Sequence, residues 1–264
     1  MRVALTIAGS DPSGGAGIQA DIKTFQAHGV YGLSAITAVT VQNTQKVYAV
    51  QEIRPEIVYD QISRLFEDIE IHAVKIGMVS RIRLIDSVAA ALSRVNRPPV
   101  VLDPVMISTS GFALLKFNAG KALVKRLFPL ADVVTPNIHE ARALTGKEIR
   151  NVAQMKEAAR EILELGAPKV VIKGGHLVET ATDVLYDGKE FRTLDGQRIQ
   201  TRNAHGTGCT FSSAIAANLA LGKDFFEAAE NAKAYITEAI KHSLSIGKGS
   251  GPTHHFFNFY KGTV

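Results

Sequence analysis

A chain of 264 residues with 46% hydrophobic and 21% charged residues and no low-complexity tract has the composition of a globule with a real core, which excludes a disordered tail or a fibre. Its formal charge of +5 sits on singly placed Lys and Arg, so no nucleic-acid surface is expected. One cysteine rules out an internal disulfide and points to a reducing, cytoplasmic setting, and no apolar stretch approaches the ~20 residues of a membrane helix.

The first apolar run, "RVALTIAG" (2–9), stops at Asp11 and Pro12, too soon for a secretory leader; it reads as a strand, followed by a helix over 17–29. Strands are predicted at 32–42 and 46–53. A helix follows over 55–69, where Ile57, Val58, Ile62, Leu65, Phe66 and Ile69 recur at helical spacing. Strand and helix then alternate: 72–78 with 81–95, 99–105 with 119–128, 131–137 with 138–146, and a helix at 153–166 before a strand at 168–175. Near-continuous apolar strands between such helices predict a mostly parallel sheet covered on both faces. From 182 to 201 Asp-Gly turn signals between short runs indicate a short antiparallel meander. Helices at 207–221 and 224–244 end the pattern. No linker or repeat interrupts it, so one domain spanning 1–264 is expected. In such a sheet ligands bind beyond the carboxyl ends of the strands, and several polar residues follow strands there.

Two glycine-rich turns stand out. In "GSDPSGGAG", Gly9 and Gly14 have Walker A spacing, but Gly15 occupies the lysine position and Ala16 the Ser/Thr position; the glycines also miss the dinucleotide fingerprint. What remains is a tight turn that can let backbone approach a small substrate. In "HGTGCTFSSAIAA", Gly206 and Gly208 let successive N–H groups converge where a helix begins, and the helix dipole adds positive charge, which makes an anion hole. Cys209 in the first turn is either a small buried hydrophobe or a thiol with a lowered pKa. Taken singly, other residues have ordinary readings: Asp103 as a turn residue before proline, Lys173 as a surface charge, Gln42 as a strand end, Asp21 and Glu140 as solvent-facing helix residues. His176, His254 and His255 lack the spaced partners of a metal site.

Taken in order, "AGSDPSGGAGIQADIKTF", "ITAVTVQNT", "KIGM", "VVLDPVM", "TPNIHEARALTG", "VIKGGH", "HGTGCTFSSAIAA" and "GSGPTHH" resemble the hydroxymethylpyrimidine and phosphomethylpyrimidine kinases of thiamin biosynthesis. The resemblance runs from about residue 4 to 257. It implies a ribokinase-like α/β three-layer sandwich that uses ATP and Mg²⁺ to phosphorylate an aminopyrimidine alcohol and then its monophosphate. By the same resemblance, Gly206, Thr207 and Gly208 supply the anion hole, Cys209 replaces the aspartate base of the sugar kinases, and Lys173 meets the ATP phosphates. Asp103 and Glu140 match positions that hold Mg²⁺ largely through water, with Asn137 beside them on the nucleotide side. Gln42, Asp21 and Met78 match positions around the aminopyrimidine, and a homodimer is the family habit. A pyridoxal kinase is the nearest alternative, with Gln42 and Met78 favouring the pyrimidine; a non-catalytic pyrimidine sensor is the other, and the acidic residues and lysine argue against it.

Overall fold

A computed structural model describes residues 1–107, 111–112, 114–115, 118–177 and 180–260. Among the described residues, nine strands form one sheet in the order β3-β2-β1-β4-β5-β6-β7-β8-β9. Six consecutive strands of that order are parallel: β2 (Tyr31–Gln42), β1 (Val3–Ser10), β4 (Ala73–Ile76), β5 (Val100–Leu102), β6 (Val133–Val134) and β7 (Val170–Ile172). The expected meander is β8 (Asp183–Tyr186) and β9 (Phe191–Leu194), antiparallel at one edge. It stops at Leu194 rather than near 201. The other edge is antiparallel too, because β3 (Val47–Glu52) folds back on β2.

Strand alternation builds two cores. On one face Leu5, Ile7, Val74, Ile76, Val100, Leu102, Val134, Val170 and Ile172 pack under α2 (Pro55–Asp68), α3 (Ile82–Leu92), α4 (Ala119–Leu127), α5 (Ile138–Thr145) and α6 (Val152–Glu164). Their neighbours Ala4, Ala73, Val101, Val133 and Val171 point the opposite way, beneath α1 (Gly17–Ala27), α7 (Thr207–Ala220) and α8 (Phe225–Lys241). Small residues on both sides of that second interface bring α7 close to β1, β4 and β5. Helix α7 is apolar or small nearly all round and lies in the middle of its layer. Among the described residues no helix is long and apolar enough to cross a membrane.

Order β2-β1-β4 marks where the chain, having stepped one way from β1, returns across it. Such a switch point opens a crevice at the carboxyl ends of the strands. Helix α7 starts there.

Candidate active site

Helix α7 begins at Gly206, which is left-handed at φ +79 and carries no capping side chain. A Cβ at this position would lie 1.7 Å from the Gly15 carbonyl oxygen, so only glycine lets the turn press against the β1–α1 loop. The Thr207 amide turns back to the Ala204 carbonyl (3.3 Å) and the Thr207 hydroxyl donates to the same oxygen (2.8 Å). The remaining N–H groups of an α-helix's first turn have no intrahelical acceptor. They lie next to a cation: a Cβ on Gly208 would be 3.4 Å from Lys173 Nζ and 3.9 Å from Asp103 Oδ2.

Lys173, directly after β7, donates to Asp103, directly after β5, at 2.7 Å; both are nearly buried. Burial alone would depress this ammonium, yet Asp103 and Glu140 outweigh it and hold Lys173 above its usual range. Glu140 goes the other way: burial, opposed by Lys173 and aided by Asp103, lifts its carboxyl to about 7. Its backbone position comes from a capping box, in which the Asn137 side chain accepts from the Glu140 amide (2.9 Å) and Glu140 Oε2 accepts from the Asn137 amide (2.8 Å). Asn137 thus has its carboxamide oxygen committed to the helix, and it bridges to Lys173 through the backbone. Lys173, Asp103, Glu140, Asn137 and Gly208 therefore converge, although they come from loops after three different strands and from α7.

Cys209 follows Gly208 and is half-buried. The expectation of a lowered thiol pKa is corrected here: burial pushes the thiol up to about 11, and the help it receives from Lys75 and the Gly17 amide is offset by Asp21 and Asp103. Asp21 needs a second correction. Far from facing solvent or a ligand, it is fully buried, receiving both oxygens' bonds from Lys75 Nζ (2.9 Å each), the Thr6 hydroxyl (2.6 Å) and the Ser213 hydroxyl (2.6 Å). Asp21 therefore ties β1, β4, α1 and α7 together one layer beneath the site. Lys75 keeps its proton well above the usual lysine range because, against the cost of burial, Asp21 lies on it.

Met78 is buried at the end of the β4 segment, its Sδ 3.2 Å from where a Gly9 Cβ would stand, within a small apolar cluster with Ala38, Val50, Val105 and Leu114. Gln42 is half-buried in an open cavity of about 390 Å³ shared with Pro12, Ser13, Thr44, Gly247 and Lys248. His254 and His255 are buried rather than tail residues, and His255 Nε2 lies 3.1 Å from the Thr210 hydroxyl on α7. His176 stacks edge-on with His139 at 4.7 Å.

Three residues escaped the sequence reading: Lys75, Asp11 and His205. Lys75 could have been suspected, because a lysine inside the wholly apolar run of a central strand must find a buried partner. Asp21 occupies the same face of α1 as buried Ile18 and Phe25, at i+3 and i−4, which was the signal that it points inward.

Fold and site together define the class. A mostly parallel sheet under two helix layers, with a lysine and two carboxylates gathered at an uncapped helix start, is a ribokinase-like kinase architecture, and the solved structures that superpose on the chain share it. A pyridoxal kinase of Bacillus subtilis solved with ADP matches with a TM-score of 0.90 and 43% identity, covering 97% of each chain. A phosphomethylpyrimidine kinase of Clostridium difficile 630 matches with a TM-score of 0.82 and 50% identity, over 91% of this chain and 100% of that one. The chain belongs to the phosphomethylpyrimidine kinase family, whose model matches residues 11–254. A hydroxymethylpyrimidine/phosphomethylpyrimidine kinase of Rhizobium meliloti (strain 1021) is 52% identical over 263 residues, 98% of both chains.

Proposed function

We propose that the chain transfers phosphate from ATP to 4-amino-5-hydroxymethyl-2-methylpyrimidine and then to the resulting monophosphate, supplying the diphosphate for thiamin assembly. One observation carries the reading: Lys173, paired with Asp103, abuts Gly208 at the uncapped start of α7. That combination fits a terminal phosphoryl group, since convergent amides and an ammonium both favour its charge. The pyrimidine, rather than pyridoxal, is supported by the family model and by relatives named for it.

Mg²⁺ fits the acidic pair. Glu140 is raised first by burial and further by the charge of Asp103, and a divalent cation between the two carboxylates relieves that second contribution. Two carboxylates are few for a protein cage, and Mg²⁺ usually keeps waters and substrate phosphates as its other ligands. When bound, the cation neutralises charge on the nucleotide phosphates.

Phosphoryl transfer through a loose transition state asks mainly for alignment and charge stabilisation. The amides at the start of α7 and Lys173 do that work. Cys209 holds its proton in the resting site, so it acts as a base only through its minor thiolate form: the thiol first gives its proton to solvent, and the thiolate then takes the hydroxyl proton late, as the substrate oxygen bonds to the γ-phosphorus and the bond to ADP breaks. Cys209→Ala then lowers kcat by no more than about 10²-fold, the lower end of general-base contributions. The protein works in the cytoplasm, in keeping with its single cysteine, and as a homodimer, a reading supported by the exposed Val39 and Val41 on β2 and Tyr48 on β3.

Product analysis by phosphorus NMR tests the reading, with ATP and either hydroxymethylpyrimidine or pyridoxal. Sequential mono- and diphosphate from the pyrimidine, at the higher kcat/KM, supports it. Faster turnover of pyridoxal transfers the assignment to the second reading, which the pyridoxal kinase likeness favours; ADP formation with neither alcohol removes both.

A further inference from the structure

Asp11 opens the loop between β1 and α1 and is almost fully buried. Its Oδ1 accepts from the Ser13 amide (2.8 Å) and hydroxyl (2.6 Å); its Oδ2 accepts from the amides of Gly15 (3.2 Å) and Ala16 (2.8 Å). Four local donors shape the loop. The fifth is not local: His205 Nε2, 194 residues away in the chain, sits 2.8 Å from Oδ2. His205 immediately precedes Gly206, and its own backbone is held on the far side, its amide donating to Gly251 and its carbonyl accepting from Thr253. Its ring leaves no room for a side chain on Gly15, where a Cβ would be 2.3 Å from Cδ2.

The same loop has two working sides. Pro12 and Ser13 wall the cavity that holds Gln42, while the Gly15 carbonyl is the surface against which Gly206 turns. A shift of the α7 turn relative to this loop therefore changes the spacing between the alcohol side and the phosphoryl side. Hydrogen bonds to a buried carboxylate are among the stronger ones, so the contact is suited to fixing that spacing.

We propose that Asp11 and His205 are a positioning pair: the carboxylate anchors the substrate-side loop, and the imidazole clamps the anion-binding turn of α7 to it, so that the two halves of the site meet at reacting distance. The pair touches neither substrate. It rests on the reading that this turn holds the transferring phosphoryl group. Geometric misplacement by about 1 Å can cost ~10² in rate with little effect on binding, and that asymmetry is the signature to measure.

Steady-state kinetics of His205→Ala, His205→Gln, Asp11→Asn and the Asp11→Asn/His205→Ala double variant, each with its thermal midpoint, provide the test. The pair predicts that His205→Ala loses at least tenfold in kcat while KM for ATP and for the pyrimidine alcohol stays within about twofold. His205→Gln, which keeps a donor near the carboxylate, recovers most of that loss, and the double variant is no slower than the slower single variant. The proposal is overturned by kcat within twofold of wild type in both single variants, by losses that multiply in the double variant, or by losses that follow the fraction unfolded. A wild-type protein that phosphorylates neither alcohol overturns instead the reading beneath it, and the pair falls with that reading.

Discussion

At an exposed helix start the dipole favours an anion by about 0.3–1 kcal/mol, whereas holding a thiol at about 11 instead of 9.0 corresponds to roughly 3 kcal/mol in the other direction. Desolvation wins at Cys209. Because this is the only cysteine in the chain, whole-protein alkylation reports on it alone. Iodoacetamide should label the free protein slowly at pH 7, with a rate still climbing above pH 9.5; a plateau reached below pH 8.5 would show the thiolate that the helix position by itself suggests. Glu140 gives a second prediction with a definite sign. Its folded carboxyl titrates near 7 against an ordinary 4.5, so the folded state keeps a proton that the unfolded chain has already released. Its favourable contribution is complete below pH 4.5 and is lost as the pH rises to 7. In metal-free buffer Glu140→Gln should therefore gain stability relative to wild type between pH 5 and 7.5, by an amount on the order of 2 kcal/mol. A stability difference independent of pH contradicts the assignment.

Among the elements, α1, β1, β4 and α7 depend on one buried ion pair. Lys75 and Asp21 have no exposed side-chain surface, and Thr6 and Ser213 complete the carboxylate's bonds. Removing one partner of such a pair strands the other, a loss of about 3–5 kcal/mol. Asp21→Asn should lower the urea midpoint accordingly with the m-value unchanged, while replacing both partners by apolar residues of similar volume should cost much less. Equal losses from the single and double replacements would mean that the pair's charge is not what matters. The elements themselves were legible: apolar strand runs, helical spacing and the motif order gave β1 to β9 and α1 to α8 nearly in register. Less legible was what faced what. Asp21 and Lys75 lie 54 positions apart and Asp11 and His205 lie 194 apart, so no local pattern announces either pair; the thiol's pKa depends on packing density, which a helix-position rule omits.

For the whole molecule, the nine-stranded sheet leaves β3 as an outer edge strand, and its hairpin with β2 exposes Val39 (45%), Val41 (59%) and Tyr48 (52%). Exposed apolar side chains beside an open edge strand invite contact with another chain. Sedimentation equilibrium should find a dimer, and Val41→Glu should shift it to monomer without unfolding; a wild-type monomer at tens of micromolar would remove the dimer from the account. The central claim concerns the other end of the strands, where parts from β5, β6, β7 and α7 meet. Its most direct test is a crystal structure with hydroxymethylpyrimidine and a non-hydrolysable ATP analogue. The account predicts the terminal phosphate within hydrogen-bonding reach of the Gly208 and Cys209 amides and of Lys173, with the pyrimidine hydroxyl facing it. A nucleotide whose phosphates lie away from the start of α7 would contradict it.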